Sequence, residues 1–228
     1  MQEVLKSRID QNALENSRIE IATHPTSASI ILELGGMAMR FAQVERVPRY
    51  HELHRESDVE HSYMLALVAS ELAYMLYPGT LNTGLISEYA GVHDLIEIKT
   101  GDVATFKIDS INLAQKEQTE HAALESLLAE LPPHTRNTLY NYEQQADKES
   151  RFVRAVDKLL PIAVDILGAG RKVMNEDYDI HSNTELGAAH DKLRERMVER
   201  FTEFPQLLAD HSLLCELFEI EFSATPSK

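Results

Sequence analysis

One cysteine, Cys215, is all the chain offers for covalent cross-linking, so no disulfide framework exists. In the run SLLCELFEI it falls among apolar residues at helical spacing, the setting of a buried packing thiol rather than a reactive one. Nine glycines and eight prolines in 228 residues are too few for a collagen-like or low-complexity chain. A composition 43% hydrophobic and 26% charged is that of a soluble globular protein able to bury a core. No apolar stretch approaches the roughly 20 residues needed to cross a bilayer. The start, MQEVLKSRIDQNALENSRIE, lacks the basic, apolar and small-residue segments of a secretory signal, which predicts a cytoplasmic protein with no membrane partner. Basic clusters are missing as well. With a net charge of -15 and no Lys/Arg block, the chain repels nucleic-acid polymers and anionic lipid. A small phosphate ester is not excluded, because a bound metal and a few local arginines reverse the field inside a cleft.

What is present is helical periodicity. Apolar residues recur at helical spacing over 30–44, 59–76, 83–98, 115–131, 152–166 and 187–201, and strand-like alternation is nearly absent. The punctuation agrees: Pro78-Gly79, Gly101 and Pro132-Pro133 each end a helix. The run NEDYDIHSNTE reads as a polar loop before the next helix. Near the start, Pro25 followed by Thr26 and Ser27 closes an extension, 1–29, and caps a helix beginning near Ile30. The expectation is an all-α helical bundle, with residues 30–228 forming one domain.

Ionisable groups interrupt three of these apolar helices. In ESDVEHSYMLALVAS, His61 lies in the first turn of a helix that immediately becomes apolar. In EYAGVHDLIEIKTGD, His93 and Asp94 lie on or near the buried stripe, and Glu97 falls four residues after His93, one helical turn later. In RFVRAVDKLLPIAVDIL, Asp157 is flanked by Val156, Leu159, Leu160 and Ile162. Taken singly, each has an ordinary explanation. A histidine on an apolar face is usually a hydrogen-bonded core residue, Asp157 can pair with a distant cation, and Asp102 can cap the turn after Gly101. Together, four candidate ligands on three helices would impose several separate desolvation costs, which one divalent ion offsets at once.

These residues resemble the HD-domain metal-dependent phosphohydrolases. The resemblance rests on EHS at His61, the doublet His93-Asp94 and Asp157 in VDKL, in that order along the chain. ERVPRYHELHRESDVEHS and HDLIEIKTGD are further similar to segments of bacterial 5′-deoxynucleotidases, and the likeness covers roughly residues 30–170. It implies an HD-domain helical bundle in which His61, His93, Asp94 and Asp157 hold one divalent metal ion. It also implies that Glu97 and Asp102 orient or protonate groups at the scissile phosphate and that Arg46 holds the substrate's phosphate or sugar. Val47 departs from the pattern, because the deoxynucleotidases carry a tryptophan beside that arginine.

Two imidazoles and two carboxylates suit Mn, Co, Fe, Zn or Mg, and ligand type does not choose among them. Such an ion lowers the pKa of bound water toward about 7 and polarises phosphorus. Asp102 would supply a proton to the departing alkoxide if neighbouring acids raise its pKa, and Arg46 would bind a phosphate oxygen by charge-assisted hydrogen bonds. The function expected is release of phosphate from (deoxy)nucleoside 5′-monophosphates, by a protein resembling enzymes that are commonly dimers. The alternatives are a deoxynucleoside triphosphate hydrolase on the same site, a non-catalytic nucleotide-binding regulatory module, and a helical interaction protein with packed histidines. His51 and His54 are three apart in a segment that reads as a loop and are poor candidates for a second metal. Glu117, Glu120 and His121 read as a solvent face, and Lys99 and Lys158 as surface lysines beside motif acids.

Overall fold

The computed structural model describes residues 26–102 and 113–224, the side chains of 113–121 excepted. The chain divides into two compact units, Met1–Met39 and Arg40–Lys228. In the first, helix α1 (Ser27–Phe41, running into the second unit) begins where Thr26 Oγ1 accepts from Ser29 N at 3.1 Å, the cap that the Thr-Ser pair after Pro25 predicts.

The second unit opens with a feature the periodicity does not show. Strands β1 (Glu45–Arg49) and β2 (Arg55–Ser57) form a two-stranded antiparallel hairpin, register Glu45 to Ser57 and Arg49 to Arg55 with an irregularity between. Pro48 is tolerated because both strands are edges. The segment holding His51 and His54 is its turn. Helices follow: α2 (Asp58–Leu76), α3 (Thr83–Val92), α4 (Glu97–Thr100), α5 (Leu113–Glu130), α6 (Pro133–Gln144), α7 (Lys148–Asp157), α8 (Leu160–Leu167), α9 (Gly170–Asp177), α10 (Asn183–Arg200) and α11 (Pro205–Ala224). The all-helical expectation holds apart from the hairpin.

Local chemistry sets the starts and stops. Ser57 and Glu60 form a capping box at α2, Ser182 and Glu185 another at α10. Asp147 accepts from Ser150 N at 2.7 Å to start α7. Gly79 and Gly101 take left-handed φ of 73° and 72° just past their helices, as the punctuation predicts.

Two expected helices are each broken in two. The 83–98 helix stops at Val92, and Leu95 N and Glu97 N bond back to Val92 O and Asp94 O three residues earlier, tightening the chain before α4. The 152–166 helix stops at Asp157, because Pro161 has no N–H for the Asp157 carbonyl four residues back. Both breaks therefore fall at candidate ligands.

Small residues let α2 and α3 lie close: Ala69, Ala73 and Ala90 are almost fully buried in a core that also holds Leu65, Ile86, Phe152, Val153 and Val156. Phe152 sits edge-on to Tyr77 and Phe204, with centroids 5.6 and 5.3 Å away. A second core gathers Ile162, Val173, Met174, Leu186, Phe218, Phe222 and Cys215. The Cys215 thiol is buried as expected, and burial pushes its pKa up to about 11.

The hairpin is fastened to the α8–α9 joint. Ala169 N donates to Arg49 O at 2.9 Å, and a Cβ at Gly168 would come within 2.3 Å of that same carbonyl oxygen. Arg49 and Arg55 both pair with Asp177.

Asp165 of α8 is 7% exposed, and its Oδ1 has no hydrogen-bond partner. Burial, helped by the charges of Glu56 and Asp177, pushes its pKa up to about 8. An unfolded aspartate titrates near 3.9, so between about pH 4 and pH 8 the folded chain binds the extra proton. Stability then falls as pH rises across that window, by up to about 1.4 kcal/mol per pH unit, and levels off above it. Asp165→Asn is expected to be more stable than the parent by roughly 2 kcal/mol or more at pH 8, the gain shrinking toward pH 5. Urea unfolding at both pH values checks this, and a gain of equal size at each would contradict it.

Candidate metal centre

Four elements deliver the side chains. The hairpin brings Arg46 and Glu56; α2 brings Asp58 and His61 in its first turn, fixed by the Ser57 cap; the end of α3 brings His93 and Asp94; and α7 ends on Asp157. One donor atom from each of His61, His93, Asp94 and Asp157 lies within 4.8 Å of all the others. His61 Nε2 is 3.0 Å from Asp157 Oδ1, His93 Nε2 is 2.8 Å from Asp94 Oδ2 and 3.7 Å from Asp157 Oδ1, and the imidazole centroids are 5.3 Å apart.

Each ring has its back occupied. His93 Nδ1 donates to Ala90 O at 2.9 Å, and His61 Nδ1 faces Glu56 Oε2 at 3.4 Å, so both Nε2 atoms point inward. His93 Nε2 is buried without an aligned hydrogen bond despite its closeness to Asp94.

Arg46 fills the neighbouring space. Its Nη1 donates to Asp94 Oδ2 at 2.7 Å and to Asp58 Oδ1 at 3.3 Å, while Glu97 Oε2 lies 3.9 Å away and Glu56 Oε2 lies 3.4 Å from its Nε. Asp58, Asp94 and Glu97 form a second convergent group around it.

The electrostatics follow from crowding. Burial opposes the Arg46 charge, but Asp94, Asp157, Glu97 and Asp102 outweigh it and raise its pKa further. Burial pushes Glu97 up to about 10, reinforced by Asp94 and Asp58. Asp58 rises to about 6, chiefly by burial, with Arg46 opposing. Asp102 also rises on burial, with Arg46 opposing. Burial would raise Asp94 too, yet His93 and Arg46 hold it well below the usual range; Lys158 and the imidazoles do the same for Asp157. Burial would lower His93, but Asp94 and Asp157 carry it up to about 10. That proton and a divalent ion are alternatives for the same Nε2.

A divalent cation fits this set. Two inward imidazole nitrogens and two ionised carboxylates are a mixed donor set for a divalent transition metal, and the orphaned His93 Nε2 lacks only a partner. Carboxyls from Glu56, Asp58, Asp94, Glu97, Asp102 and Asp157 also outnumber Arg46 and Lys158 in the same region. The family model described as HD domain matches residues 40–201. The chain belongs to the HD-domain family.

Proteins similar to this chain carry informative names. A 5′-deoxynucleotidase of Vibrio cholerae is 31% identical over 180 residues, covering 75% of this chain and 89% of that protein. A 5′-deoxynucleotidase of Xenopus laevis is 32% identical over 125 residues, 51% of this chain and 59% of that protein. The HD-domain fold is shared with a crystal structure described as a predicted metal-dependent phosphohydrolase from Magnetospirillum magnetotacticum. The TM-score is 0.64 at 21% identity, covering 89% of this chain and all of that one.

The structure thus brings together all four expected ligands, with Arg46 and Glu97 beside them. Glu97 reaches that place from the start of α4, not from one turn along a continuous helix. Asp102 follows the Gly101 stop, next to the Val47 backbone. Sequence reasoning misses Glu56 and Asp58, which are completely buried although nothing in HRESDVEHS marks them out. Lys158 Nζ donates to Asp157 Oδ2 at 2.7 Å with its side chain 41% exposed, and Lys99 pairs with Glu130. His54 bonds Glu60. His51 instead lines an 860 Å³ cavity with Asp165, Lys172 and Phe222, among others, that contains none of the four donors. Glu117, Glu120 and His121 have side chains outside the described residues. Among the described residues, no helix is long and apolar enough to cross a membrane.

Proposed function

We propose that this chain is a metal-dependent phosphohydrolase that releases inorganic phosphate from (deoxy)nucleoside 5′-monophosphates. The observation that carries the reading is the convergence of His61, His93, Asp94 and Asp157 beside the Arg46 guanidinium. Membership of the HD-domain family and the names borne by the Vibrio and Xenopus relatives support the substrate class. In this reading those four residues hold the ion. When bound, it supplies Lewis-acid polarisation of the phosphoryl group and a lowered pKa for attacking water.

The remaining steps belong to the chain. Arg46 turns toward a phosphate oxygen, exchanging part of its pairing with Asp94 and Asp58 for a charge-assisted bond to the ester. Glu97 hydrogen-bonds a phosphoryl or water oxygen beside Arg46. Asp102, whose pKa burial raises, donates a proton to the departing 5′ oxygen. Val47 is partly buried against the second core, so nothing aromatic presses on the sugar from position 47, and both ribo- and deoxyribonucleotides belong to the proposed class. The working unit is the domain 30–228, self-associated as a dimer and cytoplasmic.

A panel of ribo- and deoxyribonucleoside mono- and triphosphates, each with Mn, Co, Zn and Mg, tests this by phosphate release with product identification. Inorganic phosphate from 5′-monophosphates is the expected result. Release of triphosphate, or no turnover with any ion, would overturn it.

A further inference from the structure

Glu56 is fully buried on β2, immediately before the Ser57 cap of α2. Its Oε2 lies 3.4 Å from His61 Nδ1 and 3.4 Å from Arg46 Nε. All three atoms are sealed from solvent, and none has an aligned hydrogen bond. Tyr50 Oη reaches the other oxygen, Oε1, at 3.5 Å. One carboxylate oxygen thus stands between a candidate metal-holding imidazole and the candidate phosphate-holding guanidinium, at a separation a few tenths of an ångström beyond a good N–H···O bond.

We propose that Glu56 is a positioning residue: its Oε2 accepts from His61 Nδ1 and Arg46 Nε together, so that cation binding and phosphate binding share one support. This rests on the proposed metal site. The argument is one of tautomers. While His61 Nε2 faces Asp157 Oδ1 at 3.0 Å, the ring can satisfy that carboxylate by carrying its proton on Nε2. Once Nε2 turns its lone pair to a cation, a neutral imidazole has one place left for its proton, Nδ1. Among the described residues, the carboxylate oxygen facing that atom is Glu56 Oε2, 3.4 Å away. A carboxylate behind a ligating histidine fixes the ring's orientation and raises its basicity. The same oxygen faces Arg46 Nε, which leaves Nη1 for Asp58, Asp94 and the substrate. The capping box holds the start of α2, and the hairpin register holds Glu56 against it.

Glu56→Gln tests this, with Mn²⁺ titration followed calorimetrically, steady-state kcat and KM for a 5′-monophosphate, and the melting temperature of the metal-free protein. Glutamine keeps the length but replaces an acceptor shared by two N–H groups with a neutral amide. The expected result is Mn²⁺ affinity lower by about 10- to 100-fold, a raised KM, and metal-free melting close to that of the parent. Unchanged Mn²⁺ affinity would overturn the proposal, as would weakened affinity accompanied by an equal weakening of the metal-free fold. Glu56→Asp, which keeps the charge but withdraws it by one methylene, serves if the glutamine variant does not fold. It is expected to lose affinity similarly, and parental affinity there counts against Glu56. A parent protein that binds Mn²⁺ but hydrolyses no nucleotide sinks the proposed activity and leaves Glu56 to be judged on affinity alone. A parent that binds no divalent ion sinks both.

Discussion

Asp94→Ala is expected to remove divalent-ion binding and to lower nucleotide hydrolysis by on the order of 10³-fold or more, while the protein stays folded. The size follows from what one oxygen does. Asp94 Oδ2 is 2.8 Å from His93 Nε2 and 2.7 Å from Arg46 Nη1, so it belongs both to the donor set and to the anchor of Arg46, the proposed phosphate-holding side chain. Losing a single well-placed charge-stabilising group at a reacting centre already costs about 10²–10³ in kcat. Losing the ion removes its Lewis acidity as well. The fold survives because Arg46 keeps Glu56 and Asp58, and because Asp94 lies outside the Leu65–Phe152 core. Metal analysis of the purified variant, phosphate release and circular dichroism together check this. A variant that retains both ion and turnover would show that the centre lies elsewhere.

Glu97→Ala is expected to behave differently: kcat falls by about 10²–10³ while the ion is retained, the range typical of losing one well-placed hydrogen-bonding group at a reacting centre. Glu97 is not among the four converging donors. It sits at the first turn of α4, 3.9 Å from Arg46, grouped with Asp58 and Asp94. In the proposed reading its carboxyl serves the substrate rather than the ion. Mn²⁺ titration alongside single-turnover phosphate release separates the two effects. Loss of Mn²⁺ binding in step with loss of rate would move Glu97 into the ligand set, and an unaltered rate would remove it from the chemistry.

The contrast between these residues shows what a linear chain discloses. His61, His93, Asp94 and Asp157 stand out because each interrupts an apolar helical run, where an ionisable group is costly without a partner. Glu56 and Asp58 do not stand out, since HRESDVEHS is predominantly polar and charged and nothing local says which of its acids will be sealed by α2 and the hairpin. The hairpin escaped periodicity for a related reason: ERVPR is short and carries a proline, with a single buried residue in its pattern. Helices α6 and α9 escaped because their few apolar residues, such as Leu139 and Tyr142 or Val173 and Met174, make too narrow a stripe to recognise before the neighbours are known. The break after Asp157 was readable in Pro161. The break after Val92 was not, because it depends on how His93 and Asp94 are drawn into the centre.

The donors sit at positions 61, 93, 94 and 157, far apart along the chain on elements that pack around a shared core. An unfolded chain scatters them, so a cation finds the full set only when α2, α3 and α7 have docked. Its binding free energy is thereby added to the conformational equilibrium of the whole domain, growing as the logarithm of free ion concentration over Kd. A bound ion would then be a non-covalent cross-link in a chain whose single thiol can make no internal covalent one, and its supply would become a determinant of how long the polypeptide endures.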